Sequence, residues 1–361
     1  MLIIPMIALS YRAQQPVPAP VREVVAPPAP VRETPADAPP IEALQPPTGP
    51  PAFPIDIDAP HGATPMGAHP VSNIAAVRYF RILDETTGGI HIVSLQDYVR
   101  GAVAAEMPAS FHPEALKAQA VAAHTFALHQ HLVQQRIPNP ELRGADFSAD
   151  PGNRWGFVTE EVARQIFGYR EDEHWERLTS AVDSVLHLIL KFDGEPIVAA
   201  YHAISAGRTE YASNVWVGSA PYLIPAYSGG CVEAPGFESV ETLAARQLQT
   251  AILAAHPYVT LDGDPAGWLE VAARSSSGYV TTIRVGDTYL RGIDVRRALY
   301  LRSHHFEIAR DGSDFTFTVR GYGHGVGLSQ RGAEHMAQQG AGFEEILLNY
   351  YTGARLYQLA A

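Results

Sequence analysis

Residues 95–128 read LQDYVRGAVAAEMPASFHPEALKAQAVAAHTFAL, and this stretch decides how the middle of the chain folds. Ser94, just before it, is a preferred helix N-cap, with Asp97 three residues later. An apolar stripe at helical spacing follows, made of Leu95, Tyr98, Val99, Ala102 and Val103. This first helix must end near Met107-Pro108, because proline disfavours the helical conformation of the residue before it.

A second helix is predicted from Pro113, a favoured first position, to Leu132. Its buried face is thin, since it consists mainly of alanines (Leu116, Ala120, Ala123, Ala127 and Leu128). Thin faces allow close packing. We therefore expect the two helices to hold the intervening turn, AEMPASFHP, in a defined shape.

Working outward, the pattern predicts three hairpins, centred on Thr87-Gly88-Gly89, on Asp193-Gly194 and within FEIARDGSDFTFTVRG. Further helices are predicted at residues 159–167, 175–186, 240–255, 292–299, 330–339 and 343–350. Hairpins and helices mix without repeated βαβ units, so the predicted fold class is α+β.

The N-terminal part has a different composition. Residues 12–60 hold about half of the 29 prolines and show no apolar periodicity, so residues 1–70 are predicted to be a short apolar start plus a Pro-rich disordered linker. A packed domain is predicted for residues 71–361. The opening MLIIPMIALS is too short to span a bilayer. An apolar start followed by a long spacer predicts an extracytoplasmic domain in the cell envelope, either membrane-anchored or secreted. On this interpretation the true N-terminus lies upstream. The alternative is a soluble protein with a ragged terminus.

Charge and cysteine content exclude several classes of site. A net charge of −12 argues against nucleic acid as a partner, because that partner requires a basic patch. Cys231 is the single cysteine, so no internal disulfide or cysteine-rich zinc site can form. We expect no metal and no cofactor.

Glu106 is the strongest candidate for chemistry. It follows small and apolar residues at the C-terminal end of a helix, where the macrodipole disfavours a negative charge. Both conditions favour the protonated carboxylic acid, the form that a general acid in glycosidic cleavage needs. A surface glutamate at a frayed helix end is the alternative.

Other polar side chains could line a groove near this turn. Lys117 and His124 share one face of the second helix, two turns apart, or they form its solvated face. His202 and Ser205 lie at a strand end, where substrate binding or structural hydrogen bonds are expected; a serine hydrolase is disfavoured because the G-x-S-x-G elbow is absent.

The segment RGYGHGVGLSQRGA, residues 320–333, has glycine at every second position. As a strand it would have one bare face, while Tyr322 and His324 would lie on the other. Such a strand predicts close approach of another backbone or a ligand. Tyr322, His324 and Gln330 are counted among the substrate-binding side chains, with anchoring of the strand as the alternative for Tyr322 and His324. Ser329 is predicted to cap the next helix.

Three stretches in this order resemble the stage II sporulation protein D family (SpoIID/LytB domain): residues 95–128, then AAYHAISAGRTEYASNVW, then GYGHGVGLSQRGAEHMAQQGAGFEEILLNYYTGARL. The resemblance covers residues 77–357. It implies a peptidoglycan lytic transglycosylase whose catalytic acid and base is Glu106, with Lys117 also matched. The family usually has arginine at the position of His124, and its strand end of type H-S-T-S-G-G reads here His202-Ala203-Ile204-Ser205-Ala206-Gly207.

The resemblance implies cleavage of the MurNAc–GlcNAc β-1,4 bond of glycan strands, with a 1,6-anhydro product, in sporulation. A single carboxyl suits this reaction, because the 6-hydroxyl of the substrate is the nucleophile, whereas a glycoside hydrolase normally needs two. Expected partners are peptidoglycan glycan strands, a cell-wall amidase and a membrane-anchored sporulation complex. The alternative is a non-catalytic peptidoglycan-binding module that enhances an amidase.

Overall fold

The computed structural model describes residues 77–150, 156–218 and 220–359. The predicted linker and apolar start lie outside these residues. The helices are α1 (Leu95–Glu106), α2 (Pro113–Arg136), α3 (Glu160–Phe167), α4 (Glu171–Val185), α5 (Ala245–Ala255), α6 (Gly292–Ala298), α7 (Gln330–Gln338) and α8 (Phe343–Tyr350). The strands are β1 (Tyr79–Asp84), β2 (Ile90–Ser94), β3 (Phe147–Ala149), β4 (Leu188–Phe192), β5 (Glu195–Pro196), β6 (Tyr201–His202), β7 (Glu238–Ala244), β8 (Leu269–Arg274), β9 (Val280–Val285), β10 (Thr288–Arg291), β11 (Phe306–Asp311), β12 (Asp314–Arg320), β13 (Leu328–Ser329) and β14 (Arg355–Gln358).

The strands form several small sheets, which confirms the α+β class. Their orders are β2-β1-β3, β14-β4-β5, β13-β6, β10-β9-β8 and β11-β12-β7. The three predicted hairpins correspond to β1-β2, β4-β5 and β11-β12, each antiparallel. The outgoing strand of the second hairpin is shorter than predicted, since β5 has only two residues.

Two hydrophobic clusters organise the described residues. The first is built on α2, whose residues in this cluster are mostly alanine, and includes side chains from α1, α4, α7, α8 and β4. The second lies between α5, α6 and the strands β8 to β12. The thin face of α2 lets α1 pack closely on it, as the sequence predicted, and α4 packs on α2 as well.

The prediction of a helix from residue 240 is wrong for its first turn, because residues 238–244 form strand β7 and the helix begins at Ala245. β7 pairs along its length with β12. Its side chains are mostly exposed, so this edge strand lacks the regular alternation of buried and exposed positions that identifies strands from sequence.

The glycine segment is not a regular strand, which corrects the expectation of one bare face. Its four alternate glycines all have positive φ, from 70° to 109°. The segment lies instead against residues 200–210, through bridges of Tyr322 with Ile204 and of Val326 with Glu210 and through the β13-β6 pairing. A Cβ on Gly327 would lie 2.1 Å from the carbonyl oxygen of Ala200. The expected close approach of another backbone is therefore confirmed.

Candidate functional site

Glu106 is the last residue of α1, as predicted. Ser94 caps the helix by accepting from the amide of Asp97, and Met107 leaves the helical conformation at once, with extended backbone angles. Its amide still donates to the carbonyl of Val103, at 2.9 Å. The carboxyl group is therefore carried by a rigid helix and is partly exposed at the helix end.

Gln330 contacts Glu106 directly. Its Nε2 donates to Oε2 of Glu106 at 3.1 Å, and the Gln330 side chain is buried. Gln330 is the first residue of α7, which Ser329 caps as predicted. The bond fixes one carboxylate oxygen, so Gln330 positions Glu106; the contact with substrate that the sequence suggested stays a prediction.

Two tyrosines, which the sequence analysis did not select, lie near the carboxylate. Burial, followed by the negative charge of Glu106, raises the pKa of both Tyr98 and Tyr201 well above the ordinary value. Tyr201 lies on β6, opposite Leu328 of β13. Both hydroxyl groups therefore stay neutral at any physiological pH, so they can donate hydrogen bonds but carry no charge.

The turn after Glu106 is held from two sides. The guanidinium of Arg177, on α4, donates to the carbonyl of Phe111 at 2.9 Å through Nη2. The amide of His112 donates to Oε2 of Glu334, on α7, at 2.6 Å. Arg331 stacks its guanidinium over the Phe111 ring, 4.7 Å from its centroid. The predicted rigidity of this turn thus comes from α4 and α7 as well as from α1 and α2.

Lys117 is engaged in a structural ion pair. Its Nζ lies 2.7 Å from Oε1 of Glu114 and 5.9 Å from the centroid of Phe343. Oε2 of Glu114 accepts from the amide of Phe343, the first residue of α8. Lys117 therefore joins the start of α2 to the start of α8, and its contact with substrate stays a prediction.

The expectation that His124 lines a groove is wrong. The residue is only 1% exposed, on the side of α2 that packs against β4. Burial lowers the pKa of His124 to about 4, and the backbone of Leu188 and Leu186 partly opposes this shift. His124 is therefore a neutral residue of the interior, because α2 is buried on several sides, including the side that carries His124.

Three further predicted substrate-binding residues, His202, Ser205 and His324, are buried. Their burial disagrees with that prediction and favours the structural alternative given for each. Nδ1 of His202 lies 3.0 Å from the carbonyl oxygen of Val326, and Nδ1 of His324 accepts from the Val326 amide at 3.0 Å. The ring of His324 packs on Trp216, at 4.8 Å. The two histidine side chains anchor the glycine segment from behind, and the backbone amide of Ser205 donates to Oγ of Ser329 at 3.1 Å.

Tyr322, in the glycine segment, reaches solvent, with 37% of its surface exposed. The guanidinium of Arg302 stacks over its ring at 4.4 Å. Its expected role as a sugar contact stays a prediction.

Glu210 is a buried carboxyl group that the sequence analysis missed. Oε1 accepts from the amide of Tyr211 and from Nδ2 of Asn214, and burial raises the pKa of the group. Because Glu210 is fully buried, it is not placed to act on a polymer at the surface.

Within residues 77–150, 156–218 and 220–359, no group of three or more His, Cys, Asp or Glu side chains could hold a metal ion. Cys231 is buried, with Sγ near the hydroxyls of Ser228 and Ser329. No helix in the described part of the chain is long and apolar enough to cross a membrane.

Comparison with known proteins gives consistent matches. The family model described as Stage II sporulation protein matches residues 84–192. Stage II sporulation protein D of Bacillus subtilis is 32% identical over 83% of this chain and 83% of its own length. The protein of the same name from Bacillus amyloliquefaciens is 34% identical over 72% of this chain and 73% of its own. A Bacillus subtilis protein named Amidase enhancer is 27% identical over 72% of this chain and 40% of its own.

Proposed function

The chain belongs to the stage II sporulation protein D family, which confirms the resemblance seen in its sequence, and from that premise we propose that it is a peptidoglycan lytic transglycosylase. Its substrate would be the glycan strand, cut between MurNAc and GlcNAc at the β-1,4 bond. The observation that carries the proposal is Glu106, a partly exposed carboxyl at a rigid helix end, oriented by Gln330.

The reaction needs one carboxyl group in two roles. Protonated Glu106 gives its proton to the glycosidic oxygen as the bond from C1 of MurNAc to that oxygen breaks. The C6 hydroxyl of the same MurNAc then attacks C1 and closes the 1,6-anhydro ring, and the carboxylate of Glu106 takes the hydroxyl proton. The acid is regenerated, and water is neither added nor released.

The surroundings of Glu106 support this chemistry. Gln330 holds one carboxylate oxygen of Glu106 and so fixes the orientation of the carboxyl group. The neutral hydroxyls of Tyr98 and Tyr201 add polar groups without competing charge. A second acid is not required, since the nucleophile belongs to the substrate.

The test is product analysis with peptide-stripped glycan strands. We expect the wild type to release fragments with 1,6-anhydro ends, and Glu106→Gln to lose about a hundredfold to ten-thousandfold in rate, the usual contribution of a general acid and base. Glu161→Gln is the matched control, because Glu161 is an exposed glutamate on α3. Full activity of Glu106→Gln, or products without anhydro ends, would rule out the mechanism.

A second candidate is a binding module that stimulates an amidase. It is favoured by the similarity to the relative named Amidase enhancer and by Ala203 and Ile204, which replace the hydroxyl residues usual at this strand end. This candidate predicts unchanged strand length together with faster peptide removal by an added cell-wall amidase. Shortened strands in the absence of any amidase would exclude it.

We also propose that the protein works in the extracytoplasmic cell envelope, since peptidoglycan lies there, and that it acts with an amidase and a membrane-anchored sporulation complex. Fractionation of cells that express the full chain tests the location. Recovery in the cytoplasmic fraction alone would contradict it.

A further inference from the structure

A cluster of four buried polar side chains lies at the start of α7. Its members are Ser228, Cys231, Ser329 and Tyr350, each at most 4% exposed. Oγ of Ser228 lies 2.7 Å from Oη of Tyr350 and 3.2 Å from Sγ of Cys231. The same Sγ lies 3.1 Å from Oγ of Ser329. The polar atoms therefore form one continuous chain of hydrogen bonds from α8 to the residue that precedes α7.

Ser329 is the member that meets α7. Its Oγ caps this helix by accepting from the amide of Gly332 at 3.4 Å, and it also accepts from the amide of Ser205 at 3.1 Å. A serine hydroxyl has two acceptor positions and one hydrogen. Because the two amides occupy the acceptor positions, the hydroxyl hydrogen of Ser329 is left to bond to Sγ of Cys231. The thiol hydrogen can then be donated to Ser228, so Cys231 is an acceptor and a donor at once.

The cluster also packs directly against the first turn of α7. Gly332 is part of that turn, and a Cβ at this position would lie 2.0 Å from Oη of Tyr350 and 2.2 Å from Oγ of Ser228. Glycine therefore lets the two hydroxyls come this close to the helix. The same turn begins with Gln330, whose side chain reaches Glu106.

The bond from Gln330 to Glu106 leaves little room for a shift of this turn. Nε2 of Gln330 lies 3.1 Å from Oε2 of Glu106, and a hydrogen bond weakens once its distance or angle departs from the usual range. Groups of an active site must be held within about 0.5 Å of their productive geometry by side chains that are themselves fixed. A network that fixes the start of α7 thus fixes the donor to the candidate acid.

We propose that Ser228 and Cys231 are positioning residues for the proposed reaction, which act through Ser329 and Gln330 on the orientation of Glu106. The inference rests on the proposed function for its kinetic test. It gives the single cysteine a role that does not need a reactive thiol, since Sγ serves as a buried link between two hydroxyls.

The first measurement is the kinetics of anhydro-product release. Cys231→Ala removes an acceptor and a donor together, and we expect kcat to fall about threefold to tenfold, the effect of one hydrogen bond, with little change in KM. Cys231→Ser should restore part of the loss, because a hydroxyl offers the same two bonds. In the Gln330→Met background, Cys231→Ala should have no further effect on kcat, since its influence passes through Gln330.

Thr125→Val is the control for a purely structural loss. Thr125 is buried on α2, where Oγ1 donates to the carbonyl of Val121 and accepts from the amide of Leu190. This variant should lower the melting temperature and leave kcat unchanged. Unchanged kcat in Cys231→Ala, or a loss that adds in full to that of Gln330→Met, would overturn the inference. If Cys231→Ala does not fold, Cys231→Ser and Ser228→Ala are compared with Thr125→Val in the same way.

The second measurement does not depend on turnover. The side-chain amide of Gln330 gives a proton–nitrogen resonance, which is assigned by its loss in Gln330→Met and which reports the bond to Glu106. We expect Cys231→Ala to move this resonance toward that of an exposed glutamine, and Thr125→Val to leave it in place. Such a shift in a protein that releases no anhydro products would uphold the positioning and refute the proposed catalysis. A resonance that stays in place in Cys231→Ala would contradict the positioning itself.

Discussion

The bond from Gln330 to Glu106 gives a test at the level of one side chain. Gln330→Met keeps a similar buried volume and removes the donor to Oε2. If Gln330 positions the acid, kcat should fall about tenfold or more while KM for stripped strands changes little, since the loss is felt in the chemical step. Steady-state kinetics of anhydro-product release measures both.

Gln339→Met serves as the control, because Gln339, the residue directly after α7, is exposed. A purely structural role would instead lower the melting temperature and leave kcat of the folded fraction unchanged. An increase in KM alone would mean that Gln330 contacts substrate, as its sequence position first suggested.

The position of a single residue was predicted well where the signal is local. The place of Glu106 at the end of α1 was predictable because a helix cap, an apolar run and a proline fix it within a short stretch. Its contacts were not identifiable, since Gln330 is 224 residues away and Arg331 meets Phe111 across a similar distance. His124, His202 and His324 were misassigned because sequence spacing does not reveal burial on every side.

Elements were predicted where start and stop signals agree with the packing. Ser94, Pro113 and Thr159 each mark a helix start that the structure confirms. The glycine segment was the failure, because alternation suggests a strand whereas alternate positive φ angles give an irregular path. Contact with the neighbouring backbone of residues 200–210 imposes that path, and the local sequence does not reveal this contact.

This path gives a test at the level of the element. Gly327 has a φ of 70°, and its Cβ would collide with the carbonyl of Ala200. Gly312, in the β11-β12 hairpin, has a φ of 57° and open space around it. Gly327→Ala should therefore lower the free energy of unfolding by about 3 kcal/mol or more, through strain and overlap, whereas Gly312→Ala should cost about 1 kcal/mol from strain alone.

Denaturant unfolding of both variants measures the difference. Equal losses would mean that the segment can move away from residues 200–206, and the close approach would then not be what selects glycine there.

For the whole molecule, the sequence predicted the fold class, since this depends on averages over many residues. The boundary predicted near residue 70 lies outside the described residues and stays a prediction. In the part of the chain that the structure describes, the arrangement of five small sheets around two hydrophobic clusters could not be predicted from the sequence. Pairings such as β7 with β12 join strands far apart in the chain, and their register depends on the packed state.

Histidines within the packed interior link global stability to pH. Burial lowers the pKa of His124 from 6.5 to about 4, and it also lowers the pKa of His304 and His305. A lowered pKa in the folded state means that the unfolded chain binds more protons below pH 6.5. The stability that comes from neutral His124 is therefore fully present above that pH and is lost as the pH falls toward 4.

His124→Gln removes this titration and keeps a polar side chain of similar size. Each pH unit between 6.5 and 4 should cost the wild type about 1.4 kcal/mol more than the variant, because His124 is 1% exposed and bears its shift inside the protein. Urea unfolding across this range gives the difference in slope directly, since the carboxylates and the other histidines titrate in both proteins. Parallel curves would mean that protonation of His124 in the folded state costs no free energy. That result would contradict an interior position of His124 against β4.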